Sequence, residues 1–287
     1  METILKKLYI NQKMANIRNL KERDWNQFQL IELDTFPSDP LSKNEYLQII
    51  LNDGFFGLFE NDHLVGYLYC RIYDSYAHLH RIGILKTERG KKFGSLLFQK
   101  AVQYFNDHEK FQFSLFVEYD NFVAISLYKK YGLIIDFESW HFIIDLEQHY
   151  KISRVIISNV IIRDLSFEDV SNLNKFFPKI NLDEIRGMLK EIKRNTSTNR
   201  FIILEHENEP KVIARFNKNY SGCRPFFLTE IRYFDTFIEE LVKLKDPSKS
   251  YIRITFDDND ELASICKGRK YMIHHHLLKM TKNKPKD

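Results

Sequence analysis

Two hydrophobic periods organise the first half of the chain. Apolar positions recur at helical spacing from Trp25 to the breaker at Pro37, and the capping-box spacing of Ser42 and Glu45 predicts a second helix. Shorter, strand-like apolar runs follow, separated by turn residues. The predicted order is a strand over 15–20, helices over 25–36 and 42–51, strands over 55–59, 64–73 and 77–85, a helix ending near 107, a strand over 111–117, a helix over 121–131, and strands over 133–137 and 140–146.

The second half repeats the opening of the first. Ile17-Arg18-x-Leu20-x-x-x-Asp24 recurs about half the chain length later as Ile162-Arg163-x-Leu165-x-x-x-Asp169. A chance match is the alternative, because a strand end before an acidic helix start is common. Strand-like and helical runs then follow in the same order, which favours an internal duplication. They lie at 201–204, 212–216, 226–231, 237–244 and 251–256.

Length and pattern together predict two domains of one fold class. A chain of 287 residues with 44% hydrophobic residues can fill two cores. We expect an α/β fold (α+β by some schemes) with a mixed sheet, in a first domain over 1–150 and again over 151–287. The join is expected near residues 147–154.

Composition narrows the class of protein. No stretch approaches the roughly 18 to 20 apolar residues of a membrane span, and the N-terminus has no signal-peptide pattern, so we expect a cytoplasmic protein that does not engage membranes. Cys70, Cys223 and Cys266 are widely spaced, which indicates reduced thiols. A net charge of +4 with scattered Lys and Arg argues against nucleic-acid binding. Nothing in the sequence separates a monomer from a homodimer.

The turn between the strand over 77–85 and the next helix has the features of an anion site. Backbone N–H groups at a helix N-terminus and the helix dipole both favour phosphate. Gly90 and Gly94 allow the backbone to approach a ligand closely, and Arg89, Lys91 and Lys92 add positive charge. Such a turn is only moderately specific, because Gly and Lys also serve capping and solubility.

The segment 84–95 resembles the acetyl-CoA signature of the GNAT acetyltransferase superfamily. That signature reads Arg or Gln, two residues, Gly, one residue, then Gly or Ala, and Arg89 and Gly94 match its ends. Lys92 replaces the middle Gly. Its Cβ is compatible with a helical backbone, yet we expect it to crowd the phosphates and to affect the affinity for the cofactor.

A second GNAT motif follows downstream. Asn121, Ala124, Tyr128 and Gly132 have the spacing of the family's Asn, Ala, Tyr and Gly. A helix cap and a core aromatic are the plain structural alternatives for Asn121 and Tyr128. The resemblance covers about 17–146 and implies the GNAT fold, which has a mixed, mostly antiparallel sheet flanked by helices. It also implies acetyl-CoA as cofactor. The binding residues that it implies are Ile82, Gly83, Ile84, Arg89, Gly90, Lys91, Lys92, Phe93, Gly94, Ser95, Asn121 and Tyr128.

Two histidines are candidate bases. His78 and His80 lie two apart on a predicted strand, so both face the same way. A His-Leu-His triplet at this place helps to deprotonate the amine in one GNAT member, and solvated or core histidines are the alternative. No third ligand is near, so we expect no metal site. His274, His275 and His276 are interpreted as solvated strand residues without a function.

The resemblance implies an N-acetyltransferase that transfers acetyl from acetyl-CoA to a primary amine in a ternary complex. Tyr128 is then the acid for the leaving thiolate, His78 and His80 are the bases, and Glu118 is the next candidate. The acceptor is a small-molecule or peptide amine. Alternatives are a non-catalytic acyl-CoA sensor or interaction protein on this scaffold and an enzyme that uses aminoacyl-tRNA. The second half has no counterpart of the anion-binding turn with Arg89 and Gly94. We therefore expect a degenerate GNAT-like domain that shapes the acceptor cleft.

Overall fold

The chain folds into two compact units. The computed structural model describes residues 15–73, 76–194 and 198–283. One unit runs to Asp136 and includes the stretch from Leu278, and the other spans Phe137–Leu277. These contact boundaries fall inside strands, whereas the division at 150 follows from the repeat. The division of functions between 1–150 and 151–287 stays a prediction.

The first unit begins with a strand and two helices and continues as an alternating β and α pattern. Its elements are β1 (Ala15–Asn19), α1 (Trp25–Thr35), α2 (Lys43–Ile49), β2 (Phe55–Glu60), β3 (His63–Ile72), β4 (Ala77–Ile84), α3 (Phe93–Asp107), β5 (Phe113–Glu118), α4 (Phe122–Lys130) and the start of β6 (Ile134–Asp145). The expected capping box is present, since Ser42 Oγ accepts from the Glu45 N–H. The predicted helices and strands up to residue 131 are confirmed within a few residues.

The sheet of the first unit is mixed and mostly antiparallel. Strands β1 to β4 pair antiparallel with their sequence neighbours. β4 and β5 are parallel, as a crossover through a helix requires. Apolar residues of α3 cover one face and those of α1 and α2 the other. Leu278 and Met280, from the last strand, also lie in the core under α3.

The second unit repeats this order. Its further elements are α5 (Leu146–Tyr150), β7 (Ile161–Asp164), α6 (Phe167–Val170), α7 (Leu182–Arg194), β8 (Asn199–His206), β9 (Glu209–Asn217), β10 (Gly222–Leu228), α8 (Phe234–Leu244), β11 (Tyr251–Asp257), α9 (Asp260–Gly268) and β12 (Met272–Lys282), which ends in the first unit. β7 to β10 pair antiparallel in sequence, and β10 pairs parallel with β11. β11 also pairs with β6.

One prediction about the strands is wrong. The sequence suggests two strands over 133–137 and 140–146, but β6 is continuous from Ile134 to Asp145. The polar residues Glu138 and Ser139, which lie between the two predicted strands, find partners inside the sheet. The Glu138 carboxylate accepts from His276 Nε2 at 2.8 Å, and Ser139 is paired with Asp257. A polar residue with a partner does not interrupt a strand.

The repeated sequence motif has one structure in both units. Arg18 donates two hydrogen bonds to the Asp24 carboxylate at 2.7 and 2.8 Å, and Arg163 does the same to Asp169 at the same distances. Each Asp also caps the turn that follows its strand, because it accepts the N–H of the residue three positions earlier. The motif therefore fixes the turn between strand and helix, which explains why both copies keep it.

The structure also bears on membrane spans, on cysteine pairing and on metal binding. No described helix has the length and apolar content to cross a membrane. The three cysteines are free thiols buried in the protein. Within 15–73, 76–194 and 198–283, no group of three or more His, Cys, Asp or Glu side chains has a geometry that would hold a metal ion.

Candidate active site

The first unit opens where β4 and β5 stop pairing. Their parallel ladder joins only three residue pairs, from Ala77 with Phe113 to Leu79 with Leu115. The remaining residues of β4, through Ile84, lie beyond this ladder and stay paired to β3. Backbone groups of a strand edge beyond its ladder can bind an extended ligand by the same hydrogen bonds that a strand would make. Ile82, Gly83 and Ile84, which the sequence assigns to the cofactor, lie on this edge.

A turn of mixed backbone conformation joins this strand to α3. A short 3-10 turn over Lys86–Glu88 is followed by Gly90 at φ 82° and by Lys92 at φ 66°. Successive residues of this kind point their N–H groups to one side, which makes an anion-binding concavity. First-turn N–H groups of an α-helix have no intrahelical acceptor, and those of Phe93 and Gly94 lie at this end of the 15-residue α3. Ser95 already bonds to the Lys92 carbonyl.

The structure corrects the expectation for Lys92. We expected a helical backbone there, but Lys92 is the N-cap of α3 in the left-handed region. That conformation costs a non-glycine residue about 1 kcal/mol, which accounts for the Gly that the family signature has at this position. Lys92 thus replaces Gly at a position where backbone geometry, in addition to phosphate approach, favours Gly.

The space around the two glycines fits a close ligand. A Cβ built on Gly90 meets no atom within 4 Å, and one built on Gly94 meets only Leu127 Cδ2, at 3.8 Å. Gly90 also needs its positive φ. The protein itself does not require a missing side chain at Gly94, and this vacant volume beside the helix N-terminus can accommodate phosphate groups. The residues present fit coenzyme A by this test.

Two cations of the turn, Arg89 and Lys91, are paired with carboxylates. Arg89 Nε donates to the Ile84 carbonyl at 3.1 Å, and its guanidinium lies 3.4 Å from Asp34. Lys91 Nζ lies 2.5 Å from the Glu88 carboxylate, which raises the pKa of Lys91 through that hydrogen bond. Exposed ion pairs of this kind contribute little and exchange readily. Arg89 and Lys91 can therefore exchange their carboxylate partners for phosphate at a small cost in free energy. Arg89 also holds the turn against β4 through its hydrogen bond to Ile84.

Helix α4 carries the second set of candidates. Asn121 is its N-cap, with Oδ1 accepting the Ala124 N–H at 3.1 Å, and Gly132 follows its end at φ 84°. The structure thus confirms the helix-cap interpretation of Asn121, and its role toward a cofactor stays a prediction. Tyr128 is buried, with its ring 5.0 Å from that of Phe98, and burial raises the pKa of its hydroxyl. The hydroxyl therefore stays protonated at neutral pH.

The two histidines lie on the other face of the sheet. His78 and His80 alternate with Ala77 and Leu79, which belong to the same core as Tyr128. His78 Nδ1 lies 2.9 Å from Ser114 Oγ, and His80 Nε2 lies 3.1 Å from the Tyr73 hydroxyl. The ring centroids of the histidines are 4.7 Å apart. The structure thus brings the histidines together and sets Tyr128 on the opposite face, beside the same strand.

Sequence reasoning missed a bulge in β4 and the polar cluster that follows it. The β3–β4 register shifts by one residue at His80, so that His80 and Arg81 face the same side of the sheet. Arg81 pairs with the buried Glu32 of α1 and with Asp39. Glu32 also accepts from the Tyr67 hydroxyl, and burial raises the pKa of the Glu32 carboxyl. The local sequence Leu79-His80-Arg81 carries no signal of a bulge.

Comparison with known proteins identifies the family. The sequence model of the acetyltransferase (GNAT) family matches residues 16–133. A Bacillus subtilis (strain 168) protein, provisionally named ribosomal protein bS18-alanine N-acetyltransferase, is 31% identical over 122 residues, which are 42% of this chain and 80% of that protein. The chain belongs to the GNAT family. The resemblance found in the two motifs is confirmed.

Solved structures with a similar fold cover both halves of the chain. A GCN5-related N-acetyltransferase from Sphaerobacter thermophilus covers 94% of this chain and 95% of its own, with a TM-score of 0.69 at 10% identity. A provisionally named acetyltransferase from Pyrococcus horikoshii covers 94% of this chain and 89% of its own, with a TM-score of 0.61 at 16% identity. At these identities the likeness concerns the fold. The predicted GNAT fold class is confirmed.

Proposed function

We propose that this GNAT protein is an acetyl-CoA-dependent N-acetyltransferase with its working site in the first unit. The observation that carries the proposal is the strand, turn and helix from Ile82 to Ser95, with vacant space at Gly90 and Gly94. Phe93 and Gly94 would meet the phosphates through backbone N–H groups, with Ser95 beside them and Arg89, Lys91 and Lys92 around them. Asn121 and Tyr128 would border the rest of the cofactor.

The leaving group needs a proton donor, and we assign this role to Tyr128. When bound, acetyl-CoA supplies the thioester carbonyl that an amine attacks. A phenol whose pKa is raised by burial is fully protonated at neutral pH and can donate to a forming thiolate. N–H groups of the β4 edge at 82–84 are candidates to stabilise the oxyanion. Burial raises the pKa of Cys70 well above its usual value, which argues against a covalent enzyme intermediate.

The amine needs a base, and His78 and His80 are our candidates. An alkylamine is mostly protonated at neutral pH, whereas unperturbed imidazole has a pKa of about 6.5. Ser114 and Tyr73 hold the two rings by hydrogen bonds, so a proton taken up on one face of the sheet can pass to hydroxyl groups or water. Glu118, at the end of β5, is the alternative base.

The second unit supports the assignment by contrast. Its strand-to-helix connection has no counterpart of the turn at 89–92, because the 3-10 turn Ile231–Tyr233 leads directly into α8. The first turn of α8 contains the buried Asp235, which accepts from the Val155 N–H and from Arg269. A buried carboxylate at a helix N-terminus repels phosphate. We infer that acetyl-CoA binds in the first unit alone.

For the acceptor we propose a primary amine, with a peptide N-terminus as the first one to test. The provisional name of the Bacillus subtilis relative specifies an alanine of a ribosomal protein. A peptide that begins with alanine and a panel of small amines should be incubated with the full chain and acetyl-CoA, and CoA release measured as free thiol. Turnover of at least one amine is expected.

The same assay tests the base. The double variant His78→Ala/His80→Ala is expected to lose about a hundredfold in rate with CoA affinity retained, because general bases contribute rate enhancements of this order. His63→Ala, an exposed histidine in β3, is the control and should keep full rate. Full activity in the double variant would move the base elsewhere, with Glu118→Gln as the next variant.

Binding of acetyl-CoA without turnover of any amine would favour a non-catalytic acyl-CoA sensor.

A further inference from the structure

The second unit contains a cavity at the place that corresponds to the histidine site of the first. Its volume is about 330 Å³, and Asn199, Arg215, Asn217, Tyr220, Gly222 and Arg224 line it. β10 pairs with β11 from Gly222 opposite Arg253, as β4 pairs with β5 through His78 opposite Ser114. The register of β9 and β10 also shifts directly after Cys223, as that of β3 and β4 does after Leu79.

At two of these corresponding positions, the second unit has a guanidinium group. Arg224 follows Cys223 as His80 follows Leu79, so Arg224 occupies the position of His80. Arg253 takes the position of Ser114. The degenerate unit therefore has a positively charged surface where the first unit has its candidate bases.

The charge of Arg215 is only weakly compensated within the described residues. Burial lowers the pKa of Arg215, and the neighbouring Arg224 acts in the same direction. Glu184 and Glu191 of α7 oppose this effect, but in the described part of the chain no carboxylate lies within ion-pair distance of Arg215. Its Nε donates to the Arg224 carbonyl at 2.8 Å, which directs the guanidinium and leaves its other N–H groups for a ligand.

Arg253 adds a buried donor beside the cavity. Its guanidinium lies 4.5 Å from the Tyr220 ring, and its Nε is buried with no hydrogen-bond partner among the described residues. Buried polar groups without partners are rare in native proteins and often indicate a missing ligand or water. Arg253 does not line the cavity itself, so this donor adds positive charge behind Tyr220 rather than a direct contact to a ligand.

Close packing and hydrogen bonds hold part of the cavity wall. A Cβ at Gly222 would lie 2.6 Å from Tyr220 and 3.1 Å from Arg253, so only glycine allows these two side chains to approach. Asn217 Nδ2 donates to Asn199 Oδ1, and Asn217 Oδ1 accepts the Tyr220 N–H, both at 2.9 Å. Preorganised donors bind an anion at a lower cost in entropy than mobile side chains do.

We propose that this cavity of the second unit binds a small molecule through an oxyanion group, a carboxylate or a phosphate. Guanidinium groups match the two oxygens of either group in a bidentate fashion, and the volume suits a small metabolite. Arg215 and Arg224 contact the oxyanion, and Arg253 supports it from behind Tyr220. The cavity thus gives the unit that lacks the acetyl-CoA turn a ligand of its own.

The test is calorimetric titration of the full chain with inorganic phosphate and, separately, with succinate. Arg224 is exposed, so Arg224→Gln leaves the fold intact, and Arg215→Gln removes the half-buried charge. Each variant is expected to weaken binding about ten- to hundredfold, as loss of a charged hydrogen bond does. Arg232→Gln, an exposed arginine of the same unit paired with Glu230, is the matched control and should bind as the wild type does.

A variant of the first unit distinguishes anion binding in this cavity from anion binding at the turn that contains Lys92. Lys92→Gln should leave the binding to the cavity unchanged. The inference is overturned if neither anion binds saturably, or if Lys92→Gln abolishes binding while Arg215→Gln and Arg224→Gln retain it. Preference for phosphate or for succinate identifies the oxyanion that the cavity takes. Melting temperatures of all variants confirm that a loss of binding is not a loss of fold.

Discussion

Helices α4 and α9 have the same ends and different middles. Asn121 and Asn259 cap them in the same way, accepting the N–H three residues on at 3.1 and 2.9 Å. At the other end, the N–H of the residue after the turn bonds the carbonyl of Tyr128 in one unit and of Cys266 in the other, both at 3.1 Å. The duplicated backbone is thus retained where the proposed acid is not.

The difference at this position is chemical. Tyr128 has a protonated phenol, whereas Cys266 is fully buried and burial raises its pKa to about 12. A thiol of this kind packs as a small apolar group. The contrast teaches that caps, turns and the Arg–Asp motif belong to the fold, and that function has to be sought in the residues that differ between the copies.

The largest expected effect is on the rate of acetyl transfer and concerns Tyr128, the residue of α4 that α9 replaces by a thiol. Tyr128→Phe should lower the rate of acetyl transfer about a hundredfold or more with CoA affinity unchanged, because only the proton donor is lost. Tyr131→Phe, in the same helix end and also 5.0 Å from Phe98, is the matched control and should keep the rate. Steady-state kinetics and calorimetry measure the two quantities. Full activity in Tyr128→Phe would remove Tyr128 as the acid.

A smaller effect distinguishes the two Arg–Asp motifs. Asp24→Asn should destabilise the first unit by about 1–3 kcal/mol, since Arg18 loses its only carboxylate partner in the described residues. Asp169→Asn should cost less, because Arg163 keeps its hydrogen bonds to Glu205. Hydrogen exchange of amides in β1 and β7 reports each unit separately. Equal losses in the two units would contradict the role given to Glu205.

The smallest expected effect concerns the ends of the two helices. Gly132 follows α4 at φ 84°, and Lys270 follows α9 at φ 58°. Lys270→Gly should stabilise the protein by about 1 kcal/mol, and Gly132→Ala should destabilise it by a similar amount, because only glycine adopts positive φ without strain. Urea unfolding gives both values. Loss of stability in Lys270→Gly would show that its side chain contributes more than its backbone costs.

Much of this molecule follows from local sequence. Apolar periodicity, caps and glycines gave the elements of the first unit and the duplication, because these signals act over a few residues. The continuity of β6 could not be predicted from local sequence, because the Glu138 carboxylate is hydrogen-bonded by His276 from a distant strand. His276 also stacks on Trp140, with ring centroids 3.5 Å apart, where solvated histidines were expected.

The candidate site was predictable in its motifs and less so in its geometry. The turn and the helix cap follow from Arg89, Gly94 and Asn121, whereas the left-handed backbone of Lys92 and the short β4–β5 ladder depend on how strands pair. The arginine cavity was missed for the same reason. Arg215, Arg224 and Arg253 come from three strands that only the sheet brings together.

We expect coenzyme A to bind in the first unit and not in the second. Calorimetric titration of the full chain with coenzyme A tests it most directly, with Gly94→Leu compared with Gly187→Leu, a helical glycine of the second unit that also has open space around it. We expect one CoA per chain, binding that is at least about tenfold weaker in Gly94→Leu, and wild-type affinity in Gly187→Leu. Two CoA molecules per chain, or unchanged affinity in Gly94→Leu, would contradict it.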